Sequence, residues 1–205
     1  MKPRYWNKGK LYLSKKDPIL KKIILNFNND YLSTNTNYYH CLLNSIIGQQ
    51  ISVAAANSIK KRFFLLKKNI NPDSVSSIKD KSFRKVGLSK QKISYVKNIS
   101  FFFKNNKIFF KKIHTFDLQK IREELISIKG VGIWTTDMFM IFALGKSNIF
   151  PKNDLGLLKA ISVSYKEKLP ISESKLNYLY KKWTPYSTIA TWYLWRSLDP
   201  LPVNY

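Results

Sequence analysis

The segment from Ile126 to Ala160 carries the strongest structural pattern in the chain and reads ISIKGVGIWTTDMFMIFALGKSNIFPKNDLGLLKA. It holds four of the seven glycines of the sequence, and Gly130 and Gly132 flank a single valine between two helical patterns. Farther along, Asp154 stands just past a proline, at the start of another apolar run. The paired glycines indicate a sharp chain reversal, because glycine adopts backbone conformations that side chains oppose.

The hydrophobic periodicity outward from this segment is helical nearly throughout. Asp17 followed by Pro18 is typical of a helix N-cap with proline at the first helical position. Further helix starts are predicted at Ser52, Asn71, Ser89, Asp117, Asp154, Ser172 and Pro185. The apolar helix after the GVG segment is predicted to stop at Gly145. Because no strand alternation is found, the sequence predicts an all-α fold of about ten short helices.

The 205-residue chain is strongly basic, with 36 Lys+Arg against 12 Asp+Glu and a formal net charge of +24. This excess indicates a polyanionic partner, for which nucleic acid is the obvious candidate. Only five of the cations are Arg, so an AT-rich genome that favours Lys codons is an alternative source of the lysines. Codon bias does not explain why acids are so few.

The single cysteine, Cys41, lies in an apolar run and is predicted to be a small core residue. One cysteine excludes an internal disulfide and a Cys-rich zinc or iron–sulfur site. The N-terminus lacks the apolar core of a signal peptide, and no apolar run approaches membrane-spanning length. We therefore expect a cytoplasmic protein that does not contact a membrane.

A two-glycine turn between helices is typical of a helix-hairpin-helix motif. Without side chains the backbone of the turn can approach a phosphate, and the following helix presents unpaired N–H groups and its positive dipole end. An ordinary turn between two antiparallel helices is the alternative interpretation of the same pattern.

The chain contains, in this order, the segments LLNSIIGQQIS, IKGVGIWTTDMFMIFALG and IFPKNDLGLLKAI. Together they resemble the helix-hairpin-helix DNA glycosylase superfamily, and most closely its DNA-3-methyladenine glycosylase II family, over roughly Asp17 to Trp195. The resemblance implies one catalytic unit over 1–205, with two helical subdomains flanking an active-site cleft. The middle subdomain is expected over about 51–150 with the hairpin at 128–134, and the N-terminal helix and C-terminal helices form the second.

The resemblance implies that Asp154 is the essential carboxylate. Cleavage of an N-glycosidic bond develops positive charge on the deoxyribose, which a carboxylate stabilises while it orients or deprotonates the attacking water. An alkylated purine already carries positive charge, so it leaves without a strong general acid. From spacing alone, a helix N-cap is the more common interpretation of Asp154.

Trp134 stands where strand-cutting members of the superfamily carry a Schiff-base lysine, so the resemblance implies base release without strand cleavage. In the alkylbase branch an aromatic residue at this position lines the base pocket, where a cationic base stacks on the ring face. Trp195 and Tyr39 are further pocket candidates. Core packing is the alternative for all three aromatic residues.

The family also implies roles for the two amides of GQQIS and for the hairpin. Gln50 would be a wedge that enters the base stack when the damaged nucleotide rotates out, and Gln49 would lie nearer the pocket. The alternative for both is a polar helix terminus. The residues expected to bind a DNA phosphate are Gly130, Val131, Gly132 and Thr135.

The sequence therefore predicts a monomeric, monofunctional glycosylase that releases alkylated purines from damaged double-stranded DNA. No organic or redox cofactor and no side-chain metal site are expected, although a monovalent cation at the hairpin carbonyls is implied by the family. Which of 3-methyladenine, 7-methylguanine, hypoxanthine and ethenoadenine is released stays open. The alternatives are a glycosylase for another damaged or mismatched base and a non-catalytic DNA-binding module in which Asp154 only caps a helix.

Overall fold

The computed structural model describes residues 1–199, except for the side chain of Val53, and every regular element in that range is helical. The predicted all-α fold is thereby confirmed. The last six residues of the unit predicted over 1–205 lie outside the described residues. No helix in the described range is long and apolar enough to cross a bilayer.

The described residues form thirteen α-helices and one 3₁₀ turn, where about ten helices were predicted. In chain order the helices are α1 (Trp6–Lys16), α2 (Pro18–Asn26), α3 (Tyr38–Gly48), α4 (Val53–Phe64), α5 (Pro72–Ser76), α6 (Asp80–Lys85), α7 (Lys90–Asn105), α8 (Lys107–Lys112), α9 (Leu118–Ile126), α10 (Ile133–Phe142), α11 (Leu155–Tyr165), α12 (Glu173–Trp183) and α13 (Ser187–Leu198). The 3₁₀ turn covers Ile113–Thr115.

The chain divides into two compact units, and the division falls within α10. Unit 1 consists of Met1–Asn35 together with Met140–Tyr205, and unit 2 is Thr36–Phe139. The middle subdomain was expected over about 51–150, so unit 2 begins and ends earlier than that range. It begins earlier because α3 packs against α4 and α7.

Unit 1 is built around α13, which packs against α1, α2, α11 and α12. Its residues from Ser187 to Trp195 are all buried, as expected for a helix surrounded by other helices. Trp6 lies edge-on to Trp192, with ring centroids 5.3 Å apart. The packing of α11 on α13 brings the start of α11 close to Trp195.

Asp17 is a fully buried carboxylate that joins three helices of unit 1. Its Oδ1 accepts hydrogen bonds from two backbone amides in the first turn of α2, at 3.0 and 3.2 Å. Its Oδ2 accepts from the Tyr165 hydroxyl at 2.8 Å, the Trp183 indole N–H at 3.1 Å and the Lys182 ammonium at 3.1 Å. Burial raises the pKa of Asp17, but the hydrogen bonds, led by that from Trp183, outweigh it, so the net shift of the pKa is downward.

Unit 2 is organised by α7, its longest helix, which packs against α3, α5, α6 and α8. Its core is apolar and includes fully buried Phe63 and Phe83, whose rings stack at 5.9 Å between centroids. Cys41 also lies in this core and is 1% exposed, as the sequence predicts. Because one face of α7 packs in this core, the first turns of α7 are held in place. The hairpin and the C-terminal end of α3, described below, both contact this part of the helix.

Candidate active site

The hairpin between α9 and α10 has two glycines with different surroundings. Gly130 has φ +102°, and a Cβ added there would lie 2.2 Å from Cγ of Tyr95 on α7, so both the backbone and the packing require glycine. A Cβ added at Gly132 would meet no described atom within 4 Å, and Gly132 is exposed. Val131 between them is buried. The hairpin is therefore anchored at Gly130 and open at Gly132.

An ion pair holds the two helices of the hairpin together. The Arg122 guanidinium on α9 donates to Oδ1 of Asp137 on α10 at 2.8 Å, and the Asp137 side chain is nearly buried. Burial raises the pKa of Asp137, and the charge and hydrogen bond of Arg122 oppose that rise. The spacing of Arg122 and Asp137 in the sequence does not by itself indicate this ion pair.

Gln49, the C-cap residue of α3, is bonded to the hairpin. Its Nε2 donates to the Thr135 hydroxyl at 3.0 Å and to the Gly130 carbonyl at 3.3 Å. Thr135 is 1% exposed, so its hydroxyl is turned into the protein, which does not favour the predicted phosphate contact through that side chain. The structure thus brings Gln49, Gly130 and Thr135 together, and Gln49 acts here as a link between α3 and the hairpin.

The predicted roles of Gln50 and Trp134 require both side chains to be at least partly exposed, and both are. Gln50 is exposed and has φ +57°, a left-handed conformation that residues other than glycine rarely adopt. Trp134 lies in the first turn of α10 and is partly exposed. Both placements are compatible with the wedge and pocket roles, which stay predictions.

Tyr39 has the surroundings of a core residue. It is 6% exposed, and its hydroxyl hydrogen-bonds to the Ser100 hydroxyl at 2.7 Å. Its ring lies edge-on to Phe103, with centroids 5.1 Å apart. Burial raises the pKa of Tyr39. This geometry favours core packing over the pocket role for Tyr39.

Asp154 is the N-cap of α11, and it has a second donor that the sequence did not reveal. Its Oδ1 accepts from the Leu157 backbone N–H at 2.6 Å and from the Trp195 indole N–H at 2.8 Å. The Trp195 ring in turn stacks on Phe142, with an interplanar angle of 13°. Asp154 and Trp195 therefore form a bonded pair, and two N–H groups fix the orientation of the Asp154 carboxylate.

Gly156 leaves one side of the Asp154–Trp195 pair open. A Cβ added there would lie 3.2 Å from Asp154 Oδ1 and 3.5 Å from Trp195 Nε1. Glycine lowers the stability of a helix, so a glycine two residues after Asp154 is unexpected there. Its position in the sequence therefore indicates that another group comes close to the start of α11. Gly156 is exposed, which fits a position where another molecule reaches the carboxylate.

Comparisons with known proteins indicate the family to which the chain belongs. The sequence profile of the HhH-GPD superfamily base excision DNA repair proteins matches residues 43–185. The chain is 29% identical to DNA-3-methyladenine glycosylase 1 of Schizosaccharomyces pombe over 199 residues, covering 93% of this chain and 86% of that protein. It is 27% identical to YfjP of Bacillus subtilis over 169 residues, covering 78% of this chain and 59% of that protein's length.

The fold agrees with that of a solved structure. The S. pombe 3-methyladenine DNA glycosylase Mag1, solved in complex with abasic DNA, superposes with a TM-score of 0.81 at 23% identity and covers 93% of this chain and 96% of that one. The hairpin and the Asp154 segment both lie within the residues that the superfamily profile matches. This protein therefore belongs to the HhH-GPD superfamily of base excision DNA repair proteins, in its DNA-3-methyladenine glycosylase family.

Proposed function

We propose that the protein is a monofunctional DNA glycosylase that hydrolyses the N-glycosidic bond of alkylated purines in double-stranded DNA, the first step of base excision repair. The observation that carries the proposal is the fixed Asp154 carboxylate beside the Trp195 indole and the side-chain-free position of Gly156. The name and 86% coverage of the S. pombe relative support the alkylpurine specificity.

In the proposed reaction the bond between C1′ and the base nitrogen breaks, and the electron pair leaves with the base. A cationic alkylpurine becomes neutral on leaving, so it needs no proton from the protein. The positive charge that develops at C1′ is stabilised by the Asp154 carboxylate. Water then adds to C1′ and gives up one proton, which the Asp154 carboxylate can accept and pass to solvent. Because two N–H groups hold Oδ1 of Asp154, the carboxylate is preorganised and need not reorient during the reaction.

The hairpin is the proposed phosphate-binding element. Its backbone at Gly132 is open and exposed, and α10 begins at the next residue, so helix N–H groups lie next to the turn. The lysine-rich composition favours contacts to the DNA backbone over base reading, so affinity should depend strongly on salt and little on sequence.

A monovalent cation at the hairpin carbonyls is compatible with the donor atoms present. The carbonyl oxygens of Lys129 and Gly130 each accept one side-chain amide, from Asn98 and Gln49 at 3.3 Å, and a carbonyl oxygen has two lone pairs. Within the described residues no group of three His, Cys, Asp or Glu is arranged to hold a metal, so such an ion would be held by backbone oxygens. It would add positive charge near the bound phosphate.

Base release from methylated DNA tests the proposal directly. The purified protein is expected to release 3-methyladenine, identified by chromatography, and to leave abasic strands intact until alkali is added. Borohydride should trap no covalent complex, because Trp134 occupies the position of the lyase lysine. Binding without any base release would support a non-catalytic module, and a robust trapped adduct would contradict monofunctional chemistry.

Replacing Gly132 by alanine is expected to weaken binding to damaged and undamaged duplexes alike, by about tenfold, which corresponds to about 1.4 kcal/mol. The added Cβ meets no described protein atom, so the melting temperature should not change, and the loss would come from the DNA side. Titrations with labelled duplexes measure the effect.

Gly130→Ala is the matched control for that experiment. Its Cβ would collide with Tyr95, so this variant should lose thermal stability as well as binding. Normal DNA affinity of stable Gly132→Ala would remove the hairpin from the interface.

Replacing Trp134 by leucine should slow release of cationic 7-methylguanine more than release of neutral hypoxanthine. Leucine keeps apolar area but loses the ring face, so the difference should be the cation–π contribution of about 1 kcal/mol, or several-fold in rate. Single-turnover rates on matched duplexes measure it.

Trp195→Leu is a contrasting variant, because it also removes the indole donor to Asp154 and should therefore slow both reactions. Equal losses on both substrates in Trp134→Leu would mean that the Trp134 ring only shapes the pocket.

A further inference from the structure

The Lys92 ammonium is bonded to the C-terminal end of α3. It donates to the carbonyl oxygens of Ile47 and Gln49, each at 2.8 Å, although Lys92 itself lies in the first turn of α7. The last carbonyls of a helix lack partners within the helix, and the helix dipole places negative charge there. A cation with two such contacts therefore stabilises the end of α3 in one arrangement.

The residue that follows these carbonyls is held in an uncommon conformation. Gln50 has φ +57° and an exposed side chain. An L-residue with a side chain disfavours this region, so the conformation persists only where the neighbouring structure imposes it. Just beyond Gln50, Ser52 caps α4 by accepting from the Ala55 N–H at 3.3 Å. Gln50 is thus the exposed tip of a turn whose two sides are both fixed.

The surroundings of Lys92 differ from those of a phosphate-binding lysine on an open surface. Lys92 is half-buried, and its burial lowers its pKa. Its ammonium is turned toward protein carbonyls, whereas Lys90 in the same helical turn is exposed. Gln49, one of the two residues whose carbonyls bind Lys92, also donates through its side chain to the hairpin at Gly130. Lys92 therefore helps to join α7, the end of α3 and the hairpin in one network.

We propose that Lys92 is a positioning residue that holds the Gln50 turn in the shape needed for insertion into DNA before the base rotates out. The inference rests on the proposed wedge role of Gln50. Flipping loses stacking and pairing energy, and a plug that is already ordered offsets that loss without a further cost for fixing its own backbone. Lys92 acts through the turn and does not itself touch the reacting atoms.

The test follows base extrusion by stopped-flow fluorescence of 2-aminopurine placed next to a 7-methylguanine in a duplex, so that extrusion is read separately from base release. Lys92→Met keeps the length of the side chain without its charge and should slow extrusion by about tenfold, because flipping costs a few kcal/mol and the plug offsets part of it. Lys90→Met, from the same turn, is the matched control and should extrude the base at the wild-type rate.

A double-mutant cycle separates positioning from general stability. If Lys92 acts through the wedge, the Lys92→Met change should slow extrusion no further in a Gln50→Ala protein. An additional loss in that background would overturn the proposal, and so would a wild-type extrusion rate in Lys92→Met when Gln50→Ala is slow. Wild-type extrusion by Gln50→Ala would overturn the wedge role and the inference with it.

Salt titrations test whether Lys92 instead binds a DNA phosphate. A lysine that binds a phosphate lowers the slope of log affinity against log salt by about one when it is removed and weakens binding to every duplex. We expect Lys92→Met to keep the wild-type slope, and a slope reduced by about one would overturn the proposal. Failure of the proposed glycosylase activity would appear separately, as absence of released base with extrusion still observed.

Discussion

Asp154→Asn should lose base release by roughly 10²–10³-fold or more, while DNA binding stays the same or becomes tighter. Asparagine is as good an N-cap as aspartate, and its amide oxygen can accept the same two hydrogen bonds from Leu157 and Trp195. The substitution therefore removes the negative charge beside the sugar cation and keeps the local structure. Single-turnover release from methylated DNA and titration with an abasic duplex measure the two effects.

Asp117→Asn is the matched control for this experiment. Asp117 is the N-cap of α9 and accepts from the Lys120 N–H at 2.7 Å, so it has the same capping role in a different helix. Its substitution should leave base release at the wild-type rate. Near-normal turnover by Asp154→Asn, with an unchanged melting temperature, would reduce Asp154 to a helix cap and contradict the catalytic assignment.

Asp17→Ala should lower the free energy of unfolding by about 3–5 kcal/mol at neutral pH, because it leaves buried donors and the Lys182 ammonium without their acceptor. For a chain of this size the melting temperature should fall by roughly 10 °C or more. Asp117→Ala, which removes an exposed cap, should cost far less. A loss no larger than that of the exposed cap would contradict the structural role of Asp17.

The effect of Asp17 should also depend on pH in one direction. Because its pKa in the folded protein is lowered from the ordinary value of 3.8, the ionised group stabilises the fold fully above the pKa of the unfolded chain. This stabilisation is lost as pH falls through the lowered, folded-state pKa. The difference between wild type and Asp17→Ala in urea denaturation should therefore be constant at pH 6–7 and shrink below about pH 4. A difference that grows on acidification would be inconsistent with the lowered pKa.

The local chemistry of helix starts was readable in the sequence. Six predicted capping side chains accept backbone N–H bonds at the expected helices: Asp17, Ser52, Ser89, Asp117, Asp154 and Ser172. Helices α1, α6 and α8 are not predicted from the sequence, and none of the three begins with a side-chain cap bond. The helix predicted to reach Gly145 ends at Phe142, and Gly145 with φ +60° belongs to the turn that follows.

The contacts that define the candidate site were less predictable, because they join residues far apart in the chain. Asp154 was identified from its segment, but its bond to Trp195 depends on how α11 packs on α13. The Gln49 bonds to the hairpin depend in the same way on tertiary packing. Local pattern indicates which residue types stand at a helix end, and only the packed structure shows which partner reaches them.

The buried cysteine has a practical consequence for following this protein in solution. Cys41 is 1% exposed, and burial raises the pKa of its thiol to about 12, so at neutral pH it is almost entirely protonated and shielded from reagents. Since it is the only native cysteine, maleimide dyes or spin labels would attach selectively at a cysteine introduced on the surface. The native thiol need not be removed first, so distance measurements on DNA complexes can use a chain with an intact core.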